Sequence, residues 1–406
     1  MIMMNFPTLD DADVNGKTVL LRVDINSPID PSTGEIMDDK RMRECAPTIR
    51  ELSRRGAKVV IIAHQGRPGD EDFTTLEKHA RRLREVAGLD IKYVDDVFGS
   101  TALSAIRALK PGEVLLLENV RFCAEETLKG SPEEMAKTLL VRRLSSVADI
   151  FVNDAFGAAH RDQPSLVGFG AVLPTYAGRL MERELKGLGR ALNPERPCIY
   201  VLGGGKAKDS MAMIENILGR GIADRILTGG LLSHAFLVAK GISIGDVNMK
   251  ILADKGFDRE VERARKLLSQ HGDRIVTPVD LVINRDGTPA EIGVEELPTQ
   301  YQIQDVGSRT VRQYSEMIMG AKTVVANGPL GVFEKKGYER GTRGVLEAMA
   351  KSRAFTVIGG GHMVAAAEEF GLADKMGHVS TGGGACISFL SGEKLPVVEM
   401  LTKVRP

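Results

Sequence analysis

TVLLRVDIN at residues 18–26, KVVIIAHQGR at 58–67, EVLLLENVR at 113–121 and DIFVNDAFGAAHR at 149–161 share one construction. Each is a run rich in Val, Ile and Leu that breaks off into arginine, histidine, asparagine or aspartate. Runs apolar on both faces suit strands of a parallel sheet covered by helices. In open sheets of that kind, ligands bind at the carboxyl ends of the strands. Arg22, Asp24, Asn26, His64, Arg67, Asn119, Arg121, Asn153, Asp154, His160 and Arg161 are thereby expected at one sheet edge. A cluster that basic predicts a small, highly anionic ligand.

Between these strands the chain reads as helix: DDKRMRECAPTIRELSRRG, TTLEKHARRLREVAG, STALSAIRALKPG and SPEEMAKTLLVRRLSSV. Caps are expected at Thr74 or Thr75, at Ser100, and at Ser131, where Pro132 and Glu134 complete an S-x-x-E box. Strand and helix in alternation predict βαβ units and a doubly wound α/β sheet. After Pro174 the rhythm breaks, and LPTYAGRLMERELKGLGRALNPERP reads as one amphipathic helix stopped by Asn193-Pro194. The expected division is a first domain over 1–175, a connecting helix over 176–193 and a second domain over 194–389. At 406 residues the chain exceeds what one core usually serves, which agrees with two domains.

Composition narrows the partners. The apolar fraction is 43% and the charged fraction 27%, ordinary for a water-soluble globular chain. Fifty-four basic residues balance 54 acidic ones, so nothing pulls the whole molecule toward nucleic acid or anionic lipid. No apolar run reaches the ~20 residues of a membrane span, and MIMMNFPTLDD does not read as a secretory leader. Cys45, Cys123, Cys198 and Cys386 show neither a paired nor a zinc spacing, so free thiols in a reducing cytoplasm are expected.

The second half changes vocabulary. Gly203-Gly204-Gly205, Gly359-Gly360-Gly361 and Gly382-Gly383-Gly384 each precede a helix-like stretch, and AKTVVANGPLGVFE adds another strand-end turn with Glu334 behind it. RIVTPVDLVIN reads as a further strand. Glycine allows close backbone approach, and a helix N-terminus offers unpaired N–H groups to phosphate. Neither GxxxxGK[ST] nor GxGxxG occurs, so a nucleotide site of another design is expected. A dehydrogenase would need that missing dinucleotide motif. A non-catalytic anion-binding protein would need no nucleotide-type half.

RVDINSP, AHQGRP, LLENVRF and NDAFGAAHR, followed by LGGGK, NGPLGVFE, IGGGH and STGGGA, resemble the phosphoglycerate kinase family, in the family's order and over nearly the whole chain. The resemblance implies two Rossmann-like domains joined by a helix and hinge, with the C-terminal tail (390–406, with LPVVEMLTKV at 395–404) packed back on the first domain. It also implies phosphoryl transfer from 1,3-bisphosphoglycerate to ADP, giving 3-phosphoglycerate and ATP in glycolysis and gluconeogenesis, with Mg²⁺, in a monomer that closes around its substrates. By the same resemblance, Asp24 and Asn26 contact the triose, Arg22 supports them, and His64, Gln65, Gly66, Arg67, Arg121 and Arg161 hold its non-transferring phosphate. Arg41 faces the group in flight. Gly203, Gly204, Gly205, Lys206, Asn327, Pro329, Glu334, Gly359, Gly360, Gly361 and His362 form the nucleotide side. Ser380, Thr381, Gly382, Gly383 and Gly384 open a helix whose amides, with Arg41 and Lys206, act on the transferring phosphoryl group.

Two positions depart from that pattern. Much of the family carries a lysine where this chain has Ser210, so Lys206, Lys208 or Arg41 and the amides are expected to carry the charge. Many members have aspartate where His362 stands, and imidazole is a poor Mg²⁺ ligand beside a carboxylate. The metal's protein ligands therefore stay unassigned. Both departures are similar to the archaeal branch.

Overall fold

The computed structural model describes residues 6–403. It divides into two compact units, one formed by the chain up to Lys186 and again from Lys394, the other by Gly187–Glu393. Residues 1–5 and 404–406, which the expected first domain and tail include, lie outside the described residues.

The N-terminal unit alternates strand and helix: β1 (Thr18–Arg22), α1 (Lys40–Arg54), β2 (Lys58–Ile62), α2 (Glu77–Ala87), β3 (Ile91–Val94), α3 (Ser100–Ala108) and β4 (Val114–Leu117). It continues through α4 (Pro132–Met135), α5 (Leu139–Ser145), β5 (Ile150–Asn153), α6 (Pro164–Val167), β6 (Thr175–Ala177) and the start of α7 (Arg179–Leu192). Its six strands are parallel in the order β3-β4-β2-β1-β5-β6. Every residue of β1, β4 and β5 is buried, as double-faced apolar runs require. The order reverses at β1, which pairs Val19 with Val59 of β2 and with Ile150 of β5. That reversal is a topological switch point, where open α/β sheets place ligands.

The C-terminal unit repeats the plan with β7 (Cys198–Leu202), α8 (Ala207–Gly219), β8 (Arg225–Thr228), α9 (Gly230–Ala239), α10 (Asp246–Asp254), α11 (Val261–His271) and β9 (Ile275–Val276). An antiparallel insertion follows, β10 (Asp280–Arg285), β11 (Thr288–Gly293) and β12 (Gln302–Val306). Then come α12 (Ser308–Met319), β13 (Thr323–Asn327), α13 (Arg340–Lys351), β14 (Phe355–Gly359), α14 (Gly361–Glu369), β15 (His378–Val379) and α15 (Gly384–Leu390). The parallel strands run β15-β14-β13-β7-β8-β9, with the reversal between β7 and β13. Finally α16 (Pro396–Lys403) belongs to the N-terminal unit, where the Val397 N–H bonds the Ala159 carbonyl. No helix among the described residues is long and apolar enough to cross a membrane.

Several local expectations are corrected. Thr175–Ala177 is not helix but the edge strand beside β5, and the helix starts only after Gly178, where the Met181 amide bonds Asp154. The return to the first unit begins at Lys394 rather than 390. The stretch 131–147 holds two helices, because the Glu125 carboxylate takes the Leu139 and Leu140 amides and starts a second one. Pro278 interrupts RIVTPVDLVIN, sending Ile275–Val276 to the parallel sheet and Asp280–Arg285 to the antiparallel one. Ser131 caps as expected. Thr74, Thr75 and Ser100 do not, since Glu118 takes the Leu76 amide ahead of α2 and Asp96 takes the Gly99 and Ala102 amides at α3.

Candidate active site

In the N-terminal unit the segments after the carboxyl ends of β1, β2, β4 and β5 carry the basic residues. A crevice of about 430 Å³ is lined by Arg67, Arg121, Arg161, Lys129 and His160, with Glu126 and Asp162 as its carboxylates. Burial and the facing Arg161 and Arg22 cations pull Arg121 down to about 10, and burial lowers Arg161 as well. The Nη1 of Arg161 is buried with no partner among the described residues. Crowded cations with an unsatisfied donor gain from an anion far more than exposed ones do.

Arg22 does not line that crevice. It is 1% exposed and bonds inward on every side. Nε donates to Ser165 Oγ at 2.9 Å, Nη1 to the Val23 carbonyl, and Nη2 reaches His64 Nδ1 at 3.0 Å. A guanidinium can only donate, so His64 must accept at Nδ1 and carry its proton on Nε2. Burial, then the surrounding arginines, hold His64 well below the usual imidazole range, keeping it a neutral donor. Ser165 hands the chain on: its Oγ meets Glu126 Oε1 at 2.5 Å and its N–H meets Oε2 at 3.0 Å. Neither Ser165 nor Glu126 stands in a motif that sequence reading could select.

The remaining triose-side residues differ in what they offer. Arg41 Nη1 bridges both Asp24 oxygens at 2.9 Å, and its side chain is 44% exposed. Asn26 Oδ1 accepts the Gly66 N–H at 2.8 Å, so it shapes the His64–Arg67 turn. Gly66 has φ +62°, and a Cβ there would stand 2.6 Å from the Asp72 carbonyl, so only glycine fits. The Gln65 side chain is a correction. It is fully buried, accepts from Ser27 N and faces His79 Nε2 through Oε1, and donates to Ser27 O and Asp72 O. Both ends are spent on the scaffold, leaving no group for a ligand.

In the C-terminal unit two strand-end turns are locked main chain to main chain across the β7/β13 switch point. Gly203 N–H bonds the Asn327 carbonyl at 3.0 Å and Gly204 N–H the Pro329 carbonyl at 2.8 Å. A Cβ on Gly203 would strike the Pro329 carbonyl, and one on Gly328 (φ +79°) would strike that of Gly203. Beside this lock lies a cleft of about 510 Å³ lined by Gly203–Gly205, Lys206, Asp209, Ser210, Lys255, Asn327, Pro329, Gly360, Gly361, His362, Gly383 and Gly384. Lys208 is not in the lining; Lys206 is. The buried Nδ2 of Asn327 has no partner among the described residues. Gly383 (φ +48°) precedes the short α15, which Gly384 opens. On α8, Met211 is core and Met213 is buried at the cleft wall.

A second cavity of about 230 Å³ shares Gly204, Gly205, Pro329 and His362 with the cleft but is walled by Leu281, Ile303, Val306, Leu330 and Val332, with Glu334 in its lining. An apolar slot opening beside glycine turns suits a flat aromatic base with phosphates next to it. Among the described residues, Asp209 is the sole carboxylate in the lining of the larger cleft. Among the described residues no group of three or more His, Cys, Asp or Glu is placed to hold a metal.

Two switch-point sites, an arginine crevice for a small anion and a glycine-walled cleft with an apolar slot, define a nucleotide-dependent phosphotransferase of the two-unit α/β class. The sequence profile described as phosphoglycerate kinase matches residues 9–393. A phosphoglycerate kinase of Methanococcus maripaludis is 52% identical, over 98% of each chain, and one of Methanothermobacter thermautotrophicus is 51% identical, over 100% of this chain and 98% of its own. Among solved structures, phosphoglycerate kinase from Pyrococcus horikoshii OT3 superposes with a TM-score of 0.88 at 46% identity, covering 97% of this chain and 98% of that one. The enzyme from Coxiella burnetii gives 0.84 at 32% identity, over 98% and 99%. The chain belongs to the phosphoglycerate kinase family.

Proposed function

We propose that the chain transfers a phosphoryl group reversibly between the acyl phosphate of 1,3-bisphosphoglycerate and ADP, giving 3-phosphoglycerate and ATP. The observation that carries the triose side is the buried, unpartnered Arg161 Nη1 within the arginine crevice. There Arg67, Arg121, Arg161 and His64 Nε2–H take the non-transferring phosphate. Each charge-assisted contact contributes about 1.5–3 kcal/mol. Asp24 and Asn26 meet the rest of the triose. On the nucleotide side, the Gly203–Gly205, Asn327–Pro329 and Gly359–Gly361 turns, with Lys206 and His362, receive the phosphates and Glu334 the ribose.

The phosphoryl group in transit spreads charge over three oxygens, so catalysis is chiefly positioning and electrostatic stabilisation. Arg41 and the Gly383–Gly384 amides fill that role in our reading, with no covalent enzyme intermediate. Direct transfer requires the two ligands to meet in a space that excludes water, which we infer the enzyme achieves by closing during turnover. Mg²⁺ commonly binds through one or two carboxylates plus substrate phosphates. Asp209 fits that single-carboxylate role, and the ion's chemistry is to neutralise phosphate charge. In the same reading the enzyme is a cytoplasmic monomer working in glycolysis and gluconeogenesis.

The test is a coupled assay of ATP-dependent phosphorylation of 3-phosphoglycerate. Sustained turnover is expected; intact ADP binding without turnover would refute the activity.

A further inference from the structure

The cleft at the β7/β13 switch point is lined by two ammonium groups, Lys206 and Lys255, against one carboxylate, Asp209. Lys206 arrives with the glycine turn. Lys255 comes from elsewhere in the chain, immediately after α10, and no motif marks it. Its base is rigid: the Lys255 N–H bonds the Ile251 carbonyl at 3.2 Å, Gly256 turns left-handed at φ +72°, and the Phe257 N–H returns to the Leu252 carbonyl at 2.8 Å. Phe257 is fully buried, so this helix end is pinned in the manner of a glycine-terminated C-cap. The Lys255 side chain is exposed and makes no ion pair or hydrogen bond among the described residues. It is therefore a cation on a fixed mount, without an ion-pair partner among the described residues, in the wall of a cleft also lined by the glycine turns at Gly203–Gly205, Gly360–Gly361 and Gly383–Gly384.

We infer that Lys255 is a nucleotide-binding residue whose ammonium contacts the phosphate chain of ADP and ATP. Ser210, also in the lining, contributes only a neutral hydroxyl, and Lys208 does not reach the lining. Lys255 thus supplies from α10 a charge that α8 does not present to the cleft. A pair of cations from two separate elements grips a flexible polyanion at two points, and it distinguishes a phosphorylated nucleotide from its nucleoside. The assignment rests on the nucleotide reading of this cleft given above.

The test is the affinity of wild type, K255A and K255R for ADP and for adenosine, measured by titration calorimetry at low and moderate salt. ADP affinity of K255A is expected to fall about 10- to 100-fold, the usual range for one charge-assisted contact. Adenosine affinity and the KM for 3-phosphoglycerate should stay at wild-type values. K255R should recover most of the loss, and K255A should show a shallower salt dependence. Unchanged ADP affinity in K255A would overturn the assignment. So would an equal loss for ADP and adenosine, which would mark Lys255 as structural. A wild-type protein that binds ADP through Lys255 and yet phosphorylates no 3-phosphoglycerate would overturn the proposed activity and leave this residue's role standing.

Discussion

Removing one oxygen atom, by Ser165→Ala, tests whether the buried chain behind His64 serves binding as well as folding. Ser165 is fully buried, and its hydroxyl both accepts from Arg22 Nε at 2.9 Å and donates to Glu126 Oε1 at 2.5 Å. Hydrogen bonds to charged groups contribute about 1.5–3 kcal/mol each, and a buried donor left unpaired loses its full desolvation cost. The Glu126 carboxylate keeps its bond from the Ser165 amide, so the low end of the two-bond sum, about 3 kcal/mol, is the expected destabilisation. For a unit of this size that lowers the N-terminal unit's calorimetric transition by roughly 6–12 °C. The second effect is the discriminating one. A loosened Arg22 no longer fixes His64 Nδ1 as acceptor, so one phosphate donor is lost and the KM for 3-phosphoglycerate rises about 10-fold. The KM for ATP, whose site lies in the C-terminal unit, stays put. Initial rates with each substrate varied, beside calorimetry, decide the matter. A lowered transition with an unchanged 3-phosphoglycerate KM would refute the positioning argument and leave Arg22 a purely structural cation.

Arg41→Ala should lower kcat by about 10²–10³ with little change in the KM for 3-phosphoglycerate; equal losses in both would remove its transition-state role. Gly328→Ala forces a Cβ into the Gly203 carbonyl at a positive φ, and should weaken ADP binding at least about 10-fold while sparing 3-phosphoglycerate binding, since the lock between the two turns must open. Wild-type-like ADP titration would show the cleft tolerates a shifted backbone. Burial holds His234 down to about 4, below its unfolded value near 6.5. Between those values the unfolded chain takes up a proton the native state refuses, so this residue removes stability as pH falls. His234→Phe should therefore gain about 2 kcal/mol relative to wild type between pH 7 and pH 5 in denaturant titrations. A pH-independent difference would contradict it.

How much of this was legible depended on whether a residue's role shows in its neighbours along the chain. The arginine ends of the first-half strands and the glycine ends of the second announce themselves, because a parallel strand buried on both faces must stop being apolar where the ligand edge begins. That edge placed Arg67, Arg121 and Arg161 around one crevice, as the strand pattern suggested. Gln65 shared the same turn but points its amide into the scaffold, which no local pattern distinguishes. Ser165, Glu126 and Lys255 sit in unmarked segments and reach their sites only through tertiary packing. The short β6 was hidden because Thr-Tyr-Ala ahead of a strongly amphipathic helix reads as that helix's first turn, until pairing with β5 outweighs it.

The helix α16 gives the N-terminal unit a late component. Its Val397 N–H meets the carbonyl of Ala159, directly ahead of His160 and Arg161, and Met400 lies against Gly170. Everything from Gly187 to Glu393 must leave the ribosome before that contact forms. A nascent chain can thus close its nucleotide-type unit while the arginine crevice still lacks its final buttress. The segment that holds Ala159 from behind thus follows the whole nucleotide-type unit in synthesis.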